Sequence, residues 1–414
     1  MRLIPSDPPD LAADLADPAL YVHGDPHAVW RHLRHSKPVC WQPPVDARPG
    51  YWAVTRHADV DRVLRDAASF TSTRGTFLNV LGKDDPASGR QLAVTDPPRH
   101  TGIRSPLQHT LSIRATAGQV DMIRELVRAA LLPAIEGGSA DLAAVLSGLP
   151  VAVLGTMMGL PESDWPQVTK LAAMAVAPDE WSLPRGPAVT LQRAHRGLFA
   201  YFQDQARARQ GNPGTDLMSA LLNMRSNGDP DPGAVVANCY SLTVGAATWP
   251  HAPTVALVEL ATGGRYRELA DRPDLLDGLV DEALRWASPA NHFVRHTTRA
   301  VELGGVELPA GAPVVVWLGS ANRDELVFPD PYTFDPTRQP NRHLAFGSGP
   351  HHCLGSALAR RMIRVVFEEI FAAAADLTLA EPPRNIASNF VAGYRSAPVT
   401  LRLRRDARVR ESSR

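Results

Sequence analysis

The spacing of apolar residues changes along the chain, and the changes predict a helix-rich body joined to a smaller strand-rich part. Near the start, residues 51–55 predict a strand and residues 58–65 a short helix. Apolar positions at helical spacing then fill most of residues 116–265, with breaks at clusters of glycine and proline. This long stretch is expected to supply the core helices.

Shorter elements are predicted beyond Arg285. They are strands at 301–303, 306–308, 314–318 and 399–403, and a helix at 354–375. The start of the chain, as far as Tyr21, is rich in proline and aspartate and is predicted to be irregular, and the charged tail 404–414 is predicted to be disordered. Since no repeat or long linker divides the sequence, we expect one domain over residues 1–414, of the α+β class and mainly α-helical.

Composition narrows the possible functions. The chain has 414 residues, 44% of them hydrophobic, which is enough for a large core without disulfides. Three widely spaced cysteines, Cys40, Cys239 and Cys353, favour a reducing compartment. Zero net charge argues against nucleic acid or an anionic membrane as a partner. With no signal-peptide core and no apolar run of about 20 residues, we expect a cytoplasmic protein.

Cys353 stands in a glycine-rich segment, Phe346 to Gly355, that reads FGSGPHHCLG. Gly349 and Gly355 would let the backbone approach a flat ligand closely. The following residues have a helical pattern, so the sulfur would lie near a helix N-terminus, which favours a thiolate. The alternative is a buried structural cysteine beside a glycine-rich turn.

The pattern F-x-x-G-x-x-x-C-x-G resembles the heme-thiolate loop of the cytochrome P450 family, and the resemblance extends over residues 52–403. It implies the cytochrome P450 fold, a heme b whose iron takes its axial thiolate from Cys353, and a soluble, monomeric monooxygenase of the bacterial type. It also implies that electrons arrive singly from a separate ferredoxin or flavodoxin with its reductase.

A glutamate and two arginines match the family's structural cluster. Glu282 and Arg285 lie three residues apart on a predicted helix, and Arg338 follows in a proline-rich segment. The resemblance implies that the three are buried together and support the cysteine loop. By itself, the Glu282–Arg285 spacing is also typical of an ordinary surface pair.

Heme carries two propionates, and a heme protein needs cationic groups near them. The segment DPPRHTGIR, residues 96–104, resembles a family motif and offers His100 and Arg104. Arg295 and His351 match two further positions of the family. The resemblance therefore implies four propionate ligands; each residue alone could equally be a surface cation.

The chain departs from the family at the helix that handles oxygen. Thr248 matches the family's alcohol, but Ala247 stands where an acid is usual. Pro250 and Pro253 should kink this helix and leave two carbonyls free. His251 is a candidate to replace the acid in proton delivery, although it could also be an ordinary buried histidine.

The family layout also implies a substrate pocket with few charges, which favours a small apolar or aromatic molecule. Its candidate lining residues are Ala246, Ala247, Trp249, Asn291, His292, Phe293, Val294 and Phe390. By analogy with the family, the reaction would be a natural-product tailoring step.

Two other functions stay open. The missing acid could mark an atypical member that uses peroxide or performs oxidative coupling, nitration or a rearrangement. Alternatively, the chain could be a heme-binding sensor without turnover, although the retained Thr248 argues against this.

Overall fold

The computed structural model of the protein describes residues 13–210, 214–222, 225–226 and 229–404. The predicted tail lies outside the described residues except for Arg404. This residue is held in place, because its guanidinium donates to Asp271 Oδ1 at 2.8 Å and to the Phe371 carbonyl at 2.9 Å.

The helices confirm the predicted helix-rich body. In chain order they are α1 (Pro18–His23), α2 (Pro26–Ser36), α3 (His57–Arg65), α4 (Arg99–Thr110), α5 (Ile113–Ala117), α6 (Val120–Gly137), α7 (Leu142–Ser147), α8 (Leu149–Met158), α9 (Trp165–Val176), α10 (Pro187–Ala208), α11 (Leu217–Leu222), α12 (Pro232–Ala246), α13 (His251–Thr262), α14 (Tyr266–Ala270), α15 (Leu276–Ala287), α16 (Leu318–Ala321) and α17 (Ser356–Ala373). The prediction of an irregular segment as far as Tyr21 is wrong from Pro18 onwards, where α1 begins, and residues 1–12 lie outside the described residues. The Asp17 side chain caps this helix by accepting from the Ala19 N–H at 2.9 Å.

The strands are short, and each predicted one is present within about one residue. They are β1 (Val39–Gln42), β2 (Tyr51–Val54), β3 (Phe70–Thr71), β4 (Ser139–Asp141), β5 (Arg225–Ser226), β6 (Asp229–Pro230), β7 (His292–Thr297), β8 (Val301–Leu303), β9 (Val306–Leu308), β10 (Pro313–Trp317), β11 (Ala374–Leu379), β12 (Arg384–Asn385), β13 (Tyr394–Ser396) and β14 (Pro398–Leu403). The sequence pattern missed β4, β5 and β6, which interrupt a region predicted to be helical.

The largest sheet has the strand order β1-β2-β10-β7-β3. Strand β10 pairs in parallel with β2 and antiparallel with β7. Residues 314–317 of β10 are all buried, which explains why this strand reads as a continuous apolar run instead of an alternating one. A second sheet, β11-β14-β4, brings the last strand against the helical body.

Two apolar clusters form the helical core and meet around α8 and α12. The first joins α6, α13, α15 and α17, and the second joins α9, α10, α11 and α12. The segment between α16 and α17 crosses the surface of the first cluster and carries Cys353. None of the helices in the described part of the chain combines the length and apolar character needed to cross a bilayer.

The helix predicted to kink at Pro250 is instead broken into α12 and α13, with a turn at residues 247–250. The prediction that two carbonyls become free is wrong. The Ala246 carbonyl accepts from Trp249 N–H at 3.3 Å, and the Trp249 carbonyl accepts from Ala252 N–H at 3.1 Å. Since prolines remove the usual donors four residues on, tighter bonds three residues on satisfy both carbonyls.

Gly278 on α15 is closely packed, and a substitution can test the effect of this packing on stability. A Cβ at this position would lie 2.1 Å from the Pro336 carbonyl oxygen, so backbone must move. We expect Gly278→Ala to lower the free energy of unfolding by about 1–3 kcal/mol despite the better helix propensity of alanine. Chemical denaturation measures this change. Gly137→Ala in α6 is the matched control, because a Cβ there meets nothing within 4 Å. Equal stability of the two variants would contradict the predicted clash.

Candidate functional site

The Cys353 loop is held by its own backbone. Cys353 N–H donates to the Phe346 carbonyl at 2.8 Å, and Ser356 N–H donates to the Cys353 carbonyl at 3.3 Å. Burial raises the pKa of the Cys353 thiol, and a hydrogen bond from the Gly355 amide to the sulfur opposes that shift. The sulfur is therefore presented just before α17, with one backbone donor directed at it, as the sequence predicts.

The two glycines of this loop have different physical roles. Gly349 has φ +69°, and a Cβ on it would lie 2.7 Å from the backbone of Leu64 and Arg65. Its packing partner is therefore the end of α3, which corrects the expectation that it allows approach to a flat ligand. At Gly355, in contrast, a Cβ would meet nothing within 4 Å, and the residue borders open space.

That open space is a cavity of about 520 Å³. The Cys353 loop borders it together with α12, α10 and the loop before α4. Aromatic side chains supply much of the remaining wall, among them Phe77, Phe293 and Phe390, whose rings contact one another at centroid distances of 4.9–6.4 Å. The cavity is thus enclosed mainly by apolar groups, with the sulfur at its border.

Glu282 and Arg285 form a fully buried ion pair on α15. Arg285 donates to both carboxylate oxygens of Glu282 at 2.7 Å, and both side chains are 0% exposed. The remaining guanidinium hydrogens reach the carbonyls of Asn322, Pro331 and Thr333 at 2.9–3.2 Å. The structure thus places this pair in the interior and not on the surface.

Arg338 completes the cluster, more loosely than the pair itself. Its Nε lies 3.4 Å from Glu282 Oε2, while its other nitrogens donate to the carbonyls of Pro329, Asp330 and Thr333. Sequence reasoning missed Asn341, whose amide donates to Glu282 Oε2 at 3.0 Å. Together these bonds satisfy the buried carboxylate from several sides.

Asn322 connects the cluster to the cysteine loop and was also missed. Its carbonyl accepts from Arg285 at 2.9 Å, and its side-chain oxygen accepts from Leu344 N–H at 2.6 Å, two residues before Phe346. Its amide donates to Ser288 at the end of α15 at 2.9 Å. The ion pair therefore acts on the loop through a short chain of hydrogen bonds.

The four predicted propionate ligands lie at one edge of the cavity region: His100 and Arg104 on α4, Arg295 on β7 and His351 in the cysteine loop. The rings of His100 and His351 are 4.5 Å apart. Arg104, Arg295 and His351 line the cavity, while His100 packs behind His351. Arg104 also donates to the His352 carbonyl at 2.8 Å, which ties α4 to the cysteine loop.

The electrostatics of this edge suit an anionic ligand. Burial lowers the pKa of Arg295 to about 10 and that of His100 to about 4. Within the described residues Arg295 has no ion pair, and His100 Nε2 is buried without a hydrogen-bond partner. Such groups are costly to leave unpaired, and they fit the two carboxylates of the heme that the sequence predicts.

Asp96 is the carboxylate nearest to this edge, and it is already engaged. Burial opposes its ionised form, but hydrogen bonds from two hydroxyl groups and the nearby His351, whose Nε2 lies 3.7 Å from Asp96 Oδ1, outweigh burial and lower the pKa of Asp96. The hydroxyl donors are Thr71 and Ser72. Asp96 therefore orients His351 and leaves Arg295 available for a ligand.

At the broken helix, Thr248 lines the cavity and donates to the Gly245 carbonyl at 3.0 Å. Ala247 packs against the second apolar cluster and is not in the cavity wall. His251 also lies elsewhere, because its ring packs against Gly393, where a Cβ would lie 2.4 Å from its Nδ1. The prediction that His251 replaces the acid beside Thr248 is therefore wrong, since the turn at 247–250 redirects the chain.

Of the seven other predicted pocket residues, five line the cavity and two do not. Ala246, Trp249, His292, Phe293 and Phe390 line the cavity. Two candidates do not. Val294 lies between the cavity-lining Phe293 and Arg295 on β7 and faces the opposite side, in a cluster with Trp317, while Asn291, which precedes β7, turns towards Gly319.

Sequence reasoning named Thr248 as a candidate but missed Ser241, His195 and Tyr240, which also line the cavity. Ser241, Gly245 and Thr248 form one stripe along α12 and into the following turn, and the spacing of four and three residues could have shown it. Asp85, His195 and Tyr240 form a second group that joins a loop, α10 and α12. No local pattern relates these three positions.

Comparison with known proteins agrees with this geometry. A family model described as Cytochrome P450 matches residues 258–373. The chain is 34% identical over 393 residues to Cytochrome P450 NovI of Streptomyces niveus, which covers 94% of this chain and 96% of that protein. It is 31% identical to Linalool 8-monooxygenase of Pseudomonas putida, with 94% and 98% covered.

Solved structures give the same result. The structure of P450 OxyD, involved in the biosynthesis of vancomycin-type antibiotics, matches with a TM-score of 0.85 and 33% identity, covering 94% of this chain and 100% of that one. A Mycobacterium marinum cytochrome P450 in complex with pseudoionone matches with a TM-score of 0.87 and 31% identity, covering 96% and 100%.

The buried pair permits a direct test of the cluster. We expect Glu282→Ala to lower the free energy of unfolding by about 3–5 kcal/mol, because it leaves the Arg285 charge buried and unpaired. The cysteine loop should then hold heme poorly, which the heme-to-protein absorbance ratio measures. Asp274→Ala is the control, since it breaks an exposed ion pair with Arg272 and should change neither quantity. Full heme retention in Glu282→Ala would contradict a supporting role for the cluster.

Proposed function

Since the chain belongs to the cytochrome P450 family and is a heme-thiolate monooxygenase, we propose that it oxidises a small, largely apolar or aromatic molecule in a natural-product tailoring step. The observation that carries the proposal is the aromatic-walled cavity that Cys353 and Thr248 both border. Support for tailoring comes from the similarity to P450 OxyD, which is involved in the biosynthesis of vancomycin-type antibiotics.

Cys353 is proposed as the axial ligand of the iron. Heme-thiolate iron supplies activation of dioxygen and insertion of one oxygen atom into the substrate. The Gly355 amide, directed at the sulfur, would moderate its charge, as hydrogen bonds to a ligating sulfur generally do. Arg295, Arg104, His100 and His351 would hold the two propionates.

Thr248 is the proposed site of proton delivery. Ala247 has no acidic group and lies outside the cavity wall, whereas the Thr248 hydroxyl borders the cavity and is oriented by its bond to the Gly245 carbonyl. Ser241 lies on the same stripe and offers a second hydroxyl. Two hydroxyls with intervening water can pass a proton without an acid. His251 has no place in this proposal, because its ring packs against Gly393.

Electrons would come one at a time from a separate ferredoxin or flavodoxin with its reductase, in line with the bacterial relatives. The test of function is turnover with a surrogate ferredoxin pair under isotopically labelled dioxygen. Incorporation of one labelled oxygen atom into the product supports monooxygenation.

A second candidate function is favoured by one observation, the replacement of the usual acid by Ala247 beside a broken helix. An atypical enzyme that uses peroxide, or that couples, nitrates or rearranges its substrate, would not need that acid. Such an enzyme would form product with peroxide alone, or form it without labelled oxygen. Either result would replace monooxygenation as the proposed reaction.

The axial ligand gives the first prediction of this proposal. The reduced, carbon-monoxide-bound protein should show the red-shifted absorption of thiolate-ligated heme, and Cys353→Ala should lose it because the sulfur is removed. Cys239→Ala is the matched control; this thiol is 0% exposed in α12 and should leave the spectrum unchanged. A thiolate spectrum that persists in Cys353→Ala would assign the iron to another cysteine.

The second prediction of this proposal concerns Thr248. We expect Thr248→Ala to slow substrate oxidation by about 10²-fold while reductant is still consumed, since proton delivery would fail. The ratio of product to peroxide measures this uncoupling. Thr243→Ala is the matched control, because that hydroxyl is buried in α12, outside the cavity wall, and donates to the Cys239 carbonyl at 2.9 Å. Equal coupling in both variants would remove Thr248 from the proton path.

A further inference from the structure

One region of the cavity wall carries polar groups that none of the proposed steps uses. Asp85 comes from the loop before α4, His195 from α10 and Tyr240 from α12, and all three border the cavity. Tyr240 lies six residues before Ala246, the last residue of α12, which is about 9 Å along the helix axis, and Thr248 follows in the turn. The group is therefore separated from the proposed oxidation site by roughly the length of a small organic molecule.

The rings of this group are packed together. His195 meets Tyr240 edge-on at a centroid distance of 5.4 Å and an angle of 87°. Phe199 stacks on Tyr240 at 4.9 Å and 26°. These contacts hold Tyr240 against α10, so its hydroxyl has a defined position.

The Tyr240 hydroxyl lacks a protein partner. Tyr240 is 9% exposed, yet within the described residues its hydroxyl makes no hydrogen bond. The hydroxyl oxygen is not enclosed by protein, and because Tyr240 borders the cavity, a ligand there can form a hydrogen bond with it.

Asp85 directs an unneutralised carboxylate towards the same place. Its Oδ1 accepts from Ala87 N–H at 2.9 Å, which fixes the turn of the loop. Its charge acts on both rings: it raises the pKa of Tyr240, in addition to the larger effect of burial, and it partly offsets the lowering of the His195 pKa by burial. Within the described residues, Asp85 forms no ion pair; nearby Arg90 lies 3.8 Å from Asp231 instead.

Neighbouring cations do not remove this charge. Burial lowers the pKa of His195, so its ring is neutral near neutral pH and presents a nitrogen lone pair. Lys83 and Asp84 border the same part of the cavity and are exposed, and their charges offset each other. The net result is one carboxylate, one phenol oxygen and one neutral imidazole around an apolar space.

We propose that Asp85, His195 and Tyr240 bind a positively charged nitrogen of the substrate, so that the substrate class is an apolar or aromatic molecule that carries an amine cation. This inference rests on the proposed function, since it identifies the substrate of the same cavity. Asp85 supplies the charge, Tyr240 and His195 supply acceptors, and the aromatic wall receives the apolar body. The cation would anchor one end of the molecule while the other reaches Thr248.

The experiment measures equilibrium binding to the heme-loaded enzyme, using two probes of one shape. The first is the N,N-dimethyl-2-phenylethylammonium ion, a protonated tertiary amine whose single N–H can donate to Tyr240 or His195 and whose nitrogen has no free lone pair with which to ligate iron. The second is the uncharged hydrocarbon in which carbon replaces that nitrogen. Heme absorbance changes or calorimetry give the two dissociation constants without turnover.

We expect the parent enzyme to bind the cation about 10- to 100-fold more tightly than the hydrocarbon. Asp85→Asn should abolish this preference and leave hydrocarbon binding unchanged, because asparagine keeps the oxygen that accepts from Ala87. Asp85→Glu should retain the preference. The matched control is Asp204→Asn on α10, which removes one exposed carboxylate, 74% exposed, outside the cavity wall.

Two results would overturn the proposal: no preference for the cation in the parent enzyme, or the same loss of preference in Asp204→Asn and Asp85→Asn. The carbon-monoxide spectrum of each variant shows whether the heme site is intact. Failure of the proposed function would look different, because the preference for the cation would persist while no labelled oxygen entered a product.

Discussion

The buried ion pair between Glu282 and Arg285 is the interaction on which the rest of the site depends. Two charges without solvent are tolerated only when every lone pair and proton is satisfied, and here backbone carbonyls, Asn341 and Arg338 complete the set. Those partners belong to the segment that leads to Cys353, so satisfying the pair also fixes the path of the loop. The hydrogen bonds that the buried charges require therefore also determine where the Cys353 sulfur lies.

The polar groups around the cavity lie in two separate regions, and each region has its own proposed role. Unpaired cationic and imidazole groups lie at one edge, where the propionates would bind, while the carboxylate of Asp85 belongs to a different part of the wall. Between them the lining is largely aromatic and aliphatic. Because an apolar wall screens charges weakly, each group keeps its influence on a ligand, and the arrangement would orient a molecule that carries one charge.

The broken helix is the main departure from the usual family pattern. Two prolines end α12 at Ala246 and restart the chain as α13, and the intervening turn places Thr248 at the cavity while it directs His251 towards Gly393. The missing acid and the turn therefore occur in the same short segment, residues 247–250. In the absence of the acid, the hydroxyl group of the cavity wall that lies closest to Thr248 in sequence is that of Ser241, on α12.

From the sequence we could infer the fold class, the bounds of a few helices and strands and, through the family motif, the cysteine loop, since these depend on periodicity and on a compact local motif. The sequence also indicated Glu282, Arg285 and Arg338, because the family spacing is specific. Only the tertiary structure decided which side chains face the cavity. The turn at 247–250 redirected His251, strand alternation removed Val294, and three distant elements brought Asp85, His195 and Tyr240 together. The direction of a side chain depends on packing between elements that are distant in sequence, so a local sequence pattern cannot predict it.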